Sequence, residues 1–174
     1  RIVTESDDAG KLHQVAVHYQ EISPIEISSL RLGRKRVPDN ILISIGSENY
    51  CIAFLHVNNG VSINSRLTNL NMMVLDNPEV KFILFRDKFS EKIKSKAAKN
   101  AFDAFRNGCG SGRKRTFYCS LDNESRIGLE YAYRLVGDID EREVYWTLAE
   151  GFQLFEKYDP DNWLIRLFKT SPVL

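Results

Sequence analysis

The sequence predicts an α/β domain with a central mixed sheet, built from an antiparallel hairpin and parallel helix-linked strands, flanked by helices and completed by a C-terminal helical pair. Three observations predict it. Residues 41–46 and 50–57 are rich in Ile, Leu, Phe and Tyr and are separated by Gly46-Ser47-Glu48-Asn49, the turn chemistry of a hairpin. Two later apolar runs, 81–85 and 116–121, each follow a stretch of helical periodicity, so right-handed crossovers should set them parallel. The last forty residues carry aromatic side chains at helical spacing, as expected of helices packed on a sheet.

Taken in order, residues 1–8 end in Ser-Asp-Asp and read as a linker or cap, and 9–22 read as a helix carrying Leu12, Val15 and Tyr19. Ser23-Pro24 then predicts a helix N-cap with proline at the first helical position, followed by Ile25, Leu30 and Leu32 up to Gly33. Residues 1–37 are therefore expected to form a helical lead-in. After the hairpin, Ile63, Leu67, Leu70, Met73 and Val74 recur at helical spacing until Asn77-Pro78. The run 81–85 reads as a strand buried on both faces. A helix is expected over 91–107, with Ala98, Ala101 and Phe105 on one side and lysines on the other, ended by Gly108, Gly110 and Gly112. Strand 116–121 leads to a helix capped by Ser120 or Asp122 and ended by Gly137. In the tail, 138–174, Asp140 is expected to cap one helix and Asp161 or Asn162 another.

The chain's 174 residues, 43% hydrophobic and 27% charged, suit one globular domain. No apolar run approaches the roughly 20 residues that span a bilayer, and the first residues do not resemble a signal peptide, so an intracellular protein without a membrane partner is expected. A start at arginine suggests a domain cut from a longer chain. Cys51, Cys109 and Cys119 are few, odd in number and form no CxxC pair, which fits reduced thiols rather than a disulfide framework or a zinc site.

The net charge of +1 conceals polarity. Residues 86–115 hold ten basic side chains against three acids, and residues 138–161 hold eight acids against two bases. Such a distribution suggests a polyanion on one face. Arg34, Lys35 and Arg36, Lys94 and Lys96, and Arg113, Lys114 and Arg115 in the glycine-rich turn are the candidate phosphate contacts.

Pro38-Asp39 leading into the hairpin, FILFRDKFSEKIKSKAAKNAFDAFRNGCG and RTFYCSLDNESRIGLEYA give a pattern that resembles the restriction-endonuclease-like superfamily, especially Mrr-type PD-(D/E)XK nucleases, over residues 38–136. The resemblance implies a hairpin carrying the active site, followed by a helix, a buried strand, a helix, a short strand and a helix. It also implies that Asp39 matches the first metal-binding carboxylate, while Phe54 and His56 occupy the places of the second acidic residue and the lysine. Phenylalanine cannot ligate Mg²⁺, a hard cation that seeks oxygen. Glu48 is the other nearby acid, placed by the turn at the far end of the hairpin. Asp39, Glu48 and His56 are thus the weak catalytic candidates of a degenerate site, for which no catalysis, metal or cofactor is expected.

Other motifs carry less. His13 and His18 are five apart rather than four, the wrong spacing for two ligands on one helix face. Residues 108–115 lack the GxxxxGK[ST] spacing of a phosphate loop and follow a helix where such a loop precedes one. The sequence therefore predicts a non-catalytic, nuclease-like domain that binds double-stranded DNA within a larger defence, recombination or transposition protein. The alternatives are a protein-interaction or dimerisation domain using the aromatic tail from Asp140 to Phe168, and a Mg²⁺-dependent nuclease using Asp39 and Glu48.

Overall fold

Gly46, at φ 58°, turns the chain within two residues, so that β2 (Asp39–Ile45) and β3 (Glu48–Phe54) pair antiparallel from Ile45↔Glu48 to Asp39↔Phe54. The turn is thus shorter than the four residues expected, and Glu48 and Asn49 belong to β3. This computed structural model describes residues 4–111 and 114–169. Around the hairpin the chain lays down α1 (Glu5–Tyr19), β1 (Ile25–Ser28), α2 (Gly60–Asp76), β4 (Val80–Asp87), α3 (Lys96–Arg106), β5 (Thr116–Leu121), α4 (Asn123–Asp140), α5 (Leu148–Tyr158) and α6 (Trp163–Lys169). The five strands form one mixed sheet in sequence order; β1, β2 and β3 pair antiparallel, whereas β3, β4 and β5 run parallel.

Period-two alternation sorts the side chains of the central strands into two cores. Tyr50, Ile52 and Phe54 of β3, with Ile83 and Phe85 of β4, face a layer made by α1, α4, α5 and α6. Cys51, Ala53, Phe82 and Leu84 face α2 and α3. Burial on both faces explains why β3 and β4 read as continuous apolar runs. Among the described residues, no helix is long and apolar enough to cross a membrane.

Several boundaries differ from expectation. Residues 25–28 are a strand, not a helix, so the expected helical lead-in supplies the edge of the sheet. Ile25-Glu26-Ile27-Ser28 alternates with period two, and Ile25 and Ile27 lie opposite Ile45 and Ile43; this pairing outweighs the N-terminal preference of Pro24. Helix α1 begins at Glu5 because Thr4 and Asp7 form a reciprocal capping box, which makes Ser-Asp-Asp its first turn. Helix α3 starts only at Lys96, capped by Ser95, leaving 88–95 as a loop. Helix α4 runs through Gly137, and Asp140 is its last residue; Thr147, not Asp140, caps α5. Gly112, the last glycine of the expected helix stop, lies outside the described residues.

Candidate functional site

Where β3 ends, the chain leaves the sheet with its backbone amides unpaired, and a buried carboxylate satisfies them. Glu5 Oε1 accepts from the backbone N–H groups of His56 at 2.8 Å and Val57 at 3.1 Å, and its other oxygen pairs with Arg66 of α2. One turn further along α1, Asp8 has no solvent exposure. Its Oδ2 accepts from His56 Nε2 at 2.6 Å and its Oδ1 from Arg126 of α4 at 2.7 Å. Arg126 also pairs with Asp87, the last residue of β4. The cluster thus ties α1, α2, α4 and β4 to the end of β3.

The His56 ring is fixed by its two partners. Its Nδ1 accepts the backbone N–H of Asp87 at 3.0 Å, so the proton sits on Nε2 and points to Asp8. Both nitrogens are committed in the neutral ring, which leaves no lone pair for a metal or for a substrate proton. Burial pulls the Asp8 carboxyl upward, but hydrogen bonds from His56 and Arg126, together with the Arg126 charge, outweigh it and hold Asp8 below the ordinary aspartate value.

Arg86 of β4 braces the same region from the α2 side. Its guanidinium donates to the carbonyl oxygens of Leu55 and Val57, both at 2.9 Å, and of Glu91 at 2.7 Å. Burial draws its pKa below the usual arginine value, while Tyr118 and the surrounding carboxylates act against that shift.

Of the three catalytic candidates, Asp39 and His56 line one pocket, and Glu48 lies apart from both. Asp39 is exposed and lines a pocket of about 340 Å³ with Glu5, His56 and Arg66. Glu48 sits at the turn end, six residues down the ladder or about 20 Å at the usual strand rise, and pairs with Lys81 at 3.3 Å. Phe54 stacks on Phe85, which packs on Trp163. Among the described residues, no group of three His, Cys, Asp or Glu side chains is placed to hold a metal ion. The side chains near Asp39 do not fit Mg²⁺: Glu5 and Asp8 already neutralise arginines, and His56 has no free nitrogen.

The basic candidates also separate. Arg34, Lys35 and Arg36 are exposed on a tight turn beside α2, where Asn69 donates to the Arg36 carbonyl at 2.6 Å and Lys35 approaches Met72. Lys94 and Lys96 are exposed at the start of α3. Lys114 is exposed eight residues past the far end of that helix, which is itself about 16 Å long. Arg115 is not available as a phosphate contact: its guanidinium donates to the carbonyls of Val74, Asn77 and Val80 at 2.8–3.0 Å, closing the C-terminus of α2. Arg113 lies outside the described residues.

A different cationic feature emerges between β4 and α3. Lys88, Lys92, Lys94, Lys96 and Lys99 are all exposed, and none forms an ion pair among the described residues. Phe89, within this loop, is 76% exposed. The charge count over 86–115 contains these lysines, but Lys88, Lys92 and Lys99 are not among the candidate phosphate contacts, because lysines on the polar side of an expected helix, or just before it, read as an ordinary solvated face. Glu5 and Asp8 had a readable signal: with Leu12 and Val15 they occupy one helix face at spacings of three and four, which marks them as buried. The chain matches no family model, no curated protein and no solved structure.

Proposed function

We propose that this chain is a DNA-binding, non-catalytic, nuclease-like domain that holds duplex DNA through the lysine loop between β4 and α3. The observation that carries the reading is that loop together with the first turn of α3, where five exposed lysines, Lys88, Lys92 and Lys94 on the loop and Lys96 and Lys99 on the helix, form no ion pair among the described residues, beside the carboxyl ends of the parallel strands. Contacts of this kind neutralise phosphates and release counterions without reading base edges. The order hairpin, helix, strand, helix, strand, helix supports the nuclease-like reading of the sheet. The commitment of Glu5, Asp8 and His56 to ion pairs and backbone amides supports the loss of chemistry.

Fluorescence anisotropy with a labelled duplex tests it. Five phosphate contacts predict a log–log salt slope of about −4.5, so affinity should fall about five-hundredfold between about 50 and 200 mM salt. Replacing Lys88, Lys92, Lys94, Lys96 and Lys99 by alanine should abolish both binding and slope. No binding at the lower salt concentration would sink the proposal.

A second reading, protein docking, is favoured by Tyr145, Trp146 and Tyr158, which are exposed around α5. It predicts self-association or partner binding that disappears when these three are changed to serine, measured by sedimentation velocity. A strictly monomeric chain that also captures no partner through these residues would rule it out.

A further inference from the structure

After β4 the chain crosses to α3 on one face of the sheet, and after β5 it turns into α4 on the other. Where successive connections part in this way, an open α/β sheet leaves a crevice outside its strand ends, which is where small ligands bind. The crevice here has a volume of about 410 Å³, within the range of ligand pockets. Lys88, Lys92 and Lys99 border it, and Phe102 and Tyr118 form an aromatic wall, packed edge to face at 4.8 Å and 89°. Arg86 adds charge at the floor, although both its terminal nitrogens are already engaged.

We propose that this crevice binds a nucleoside monophosphate group, either free or as the phosphorylated end of a DNA strand. The lysines supply charge for the phosphate, as point cations suited to it. The aromatic wall supplies the surface against which a base can lie, a contact available to any base. Asp103, one turn along α3 from Lys99, lines the same crevice and offers the acceptor that a ribose hydroxyl or an exocyclic amine needs. Asp87 and Glu91 also border the crevice; the charge of Asp87 is met by Arg126, and Lys88, Lys92, Lys99 and Arg86 outnumber the remaining acids, Glu91 and Asp103. The proposal rests on the polyanion reading of the lysine loop and adds a site with room for one nucleotide.

Calorimetric titration of the whole chain with adenosine and thymidine 5′-monophosphates, with inorganic phosphate as the charge-only probe, tests it. Each mononucleotide should bind at least about tenfold more tightly than phosphate, with Kd below about 1 mM. Tyr118→Leu keeps an apolar side chain against Phe102 but removes the aromatic face, and should weaken mononucleotide binding about tenfold while leaving affinity for closed circular duplex within about twofold. Lys99→Ala, at an exposed position, should weaken mononucleotide binding in a folded protein and serves if the tyrosine variant is unstable. A 5′-phosphorylated duplex that displaces mononucleotide at least about tenfold more effectively than a 5′-hydroxyl one, which competes only through the shared lysines, assigns the site to strand ends; equal displacement by the two assigns it to free nucleotide. Mononucleotides that bind no better than phosphate, or a folded Tyr118→Leu variant with unchanged affinity, overturn the proposal. Circular duplex bound without mononucleotide overturns it alone and leaves the DNA reading standing, whereas mononucleotide bound without duplex does the reverse.

Discussion

Asp8 stays charged in a place without water because two donors, His56 and Arg126, replace its hydration. A carboxyl whose folded pKa lies below its unfolded value contributes stability that is fully present above the unfolded value and is lost as pH falls through the folded one. The domain should therefore lose stability progressively as pH drops below the ordinary aspartate range, and the slope of its melting temperature against pH there should be shallower in Asp8→Asn. At neutral pH that variant leaves Arg126 facing Asp87 alone and should destabilise the fold by about 3 kcal/mol, the lower end for breaking a buried pair. Urea unfolding at neutral and acid pH checks both; equal slopes in the two proteins would show that Asp8 does not govern the acid limb. The ring state of His56 follows from Asp87 N–H and Asp8, which are 31 and 48 residues away in sequence. No local pattern around His56 announces partners so distant, so the residue type was legible in the sequence and its state was not.

At the scale of elements, hydrophobic periodicity located the hairpin, α2, β4 and β5, because their apolar runs are long or bounded by strong turn residues. It misplaced β1, where four residues are too few for period two to outweigh a proline signal; the strand exists because β2 offers it an edge. The joint between α4 and α6 is equally tertiary. Gly128 of α4 lies against Asn162, so close that an added Cβ would sit 2.1 Å from its amide nitrogen. That side chain is already occupied: its oxygen accepts from Leu164 N–H at 2.9 Å, and its nitrogen donates to Asp159 at 3.0 Å. Gly128→Ala should gain helix propensity yet lose more by expelling Asn162, a net destabilisation of about 1–3 kcal/mol. Combining it with Asn162→Ala should recover part of the loss in a double-mutant cycle. A stabilised single variant would show that α6 docks more loosely than this geometry requires.

Across the whole molecule the sheet divides the charge, with the lysine loop and α3 on one face and the acidic segment around α5 and α6 on the other. The sequence showed that polarity but not its location, since the adjacent Arg113, Lys114 and Arg115 at the glycine turn stand out in sequence whereas the exposed lysines before and at the start of α3 are spread over twelve residues. The acidic segment is not a free arm. Phe152, Phe155, Trp163, Leu164 and Phe168 are buried against Tyr19 of α1, Phe85 of β4 and the body of α4. Burying five such side chains contributes on the order of 10 kcal/mol. That is comparable with the entire stability of an ordinary domain, about 5–15 kcal/mol. A chain ended after Asp140 should accordingly lose cooperative thermal unfolding and bind a hydrophobic dye, because the α1 and α4 face would lie open. Changing only the exposed Tyr145, Trp146 and Tyr158 to serine should leave the melting temperature within a few degrees, since those side chains contribute little to the core. A truncated chain that melts as sharply and as high as the full one would mean that α5 and α6 are an appendage, and would move the case for a docking arm ahead of the case for a core layer.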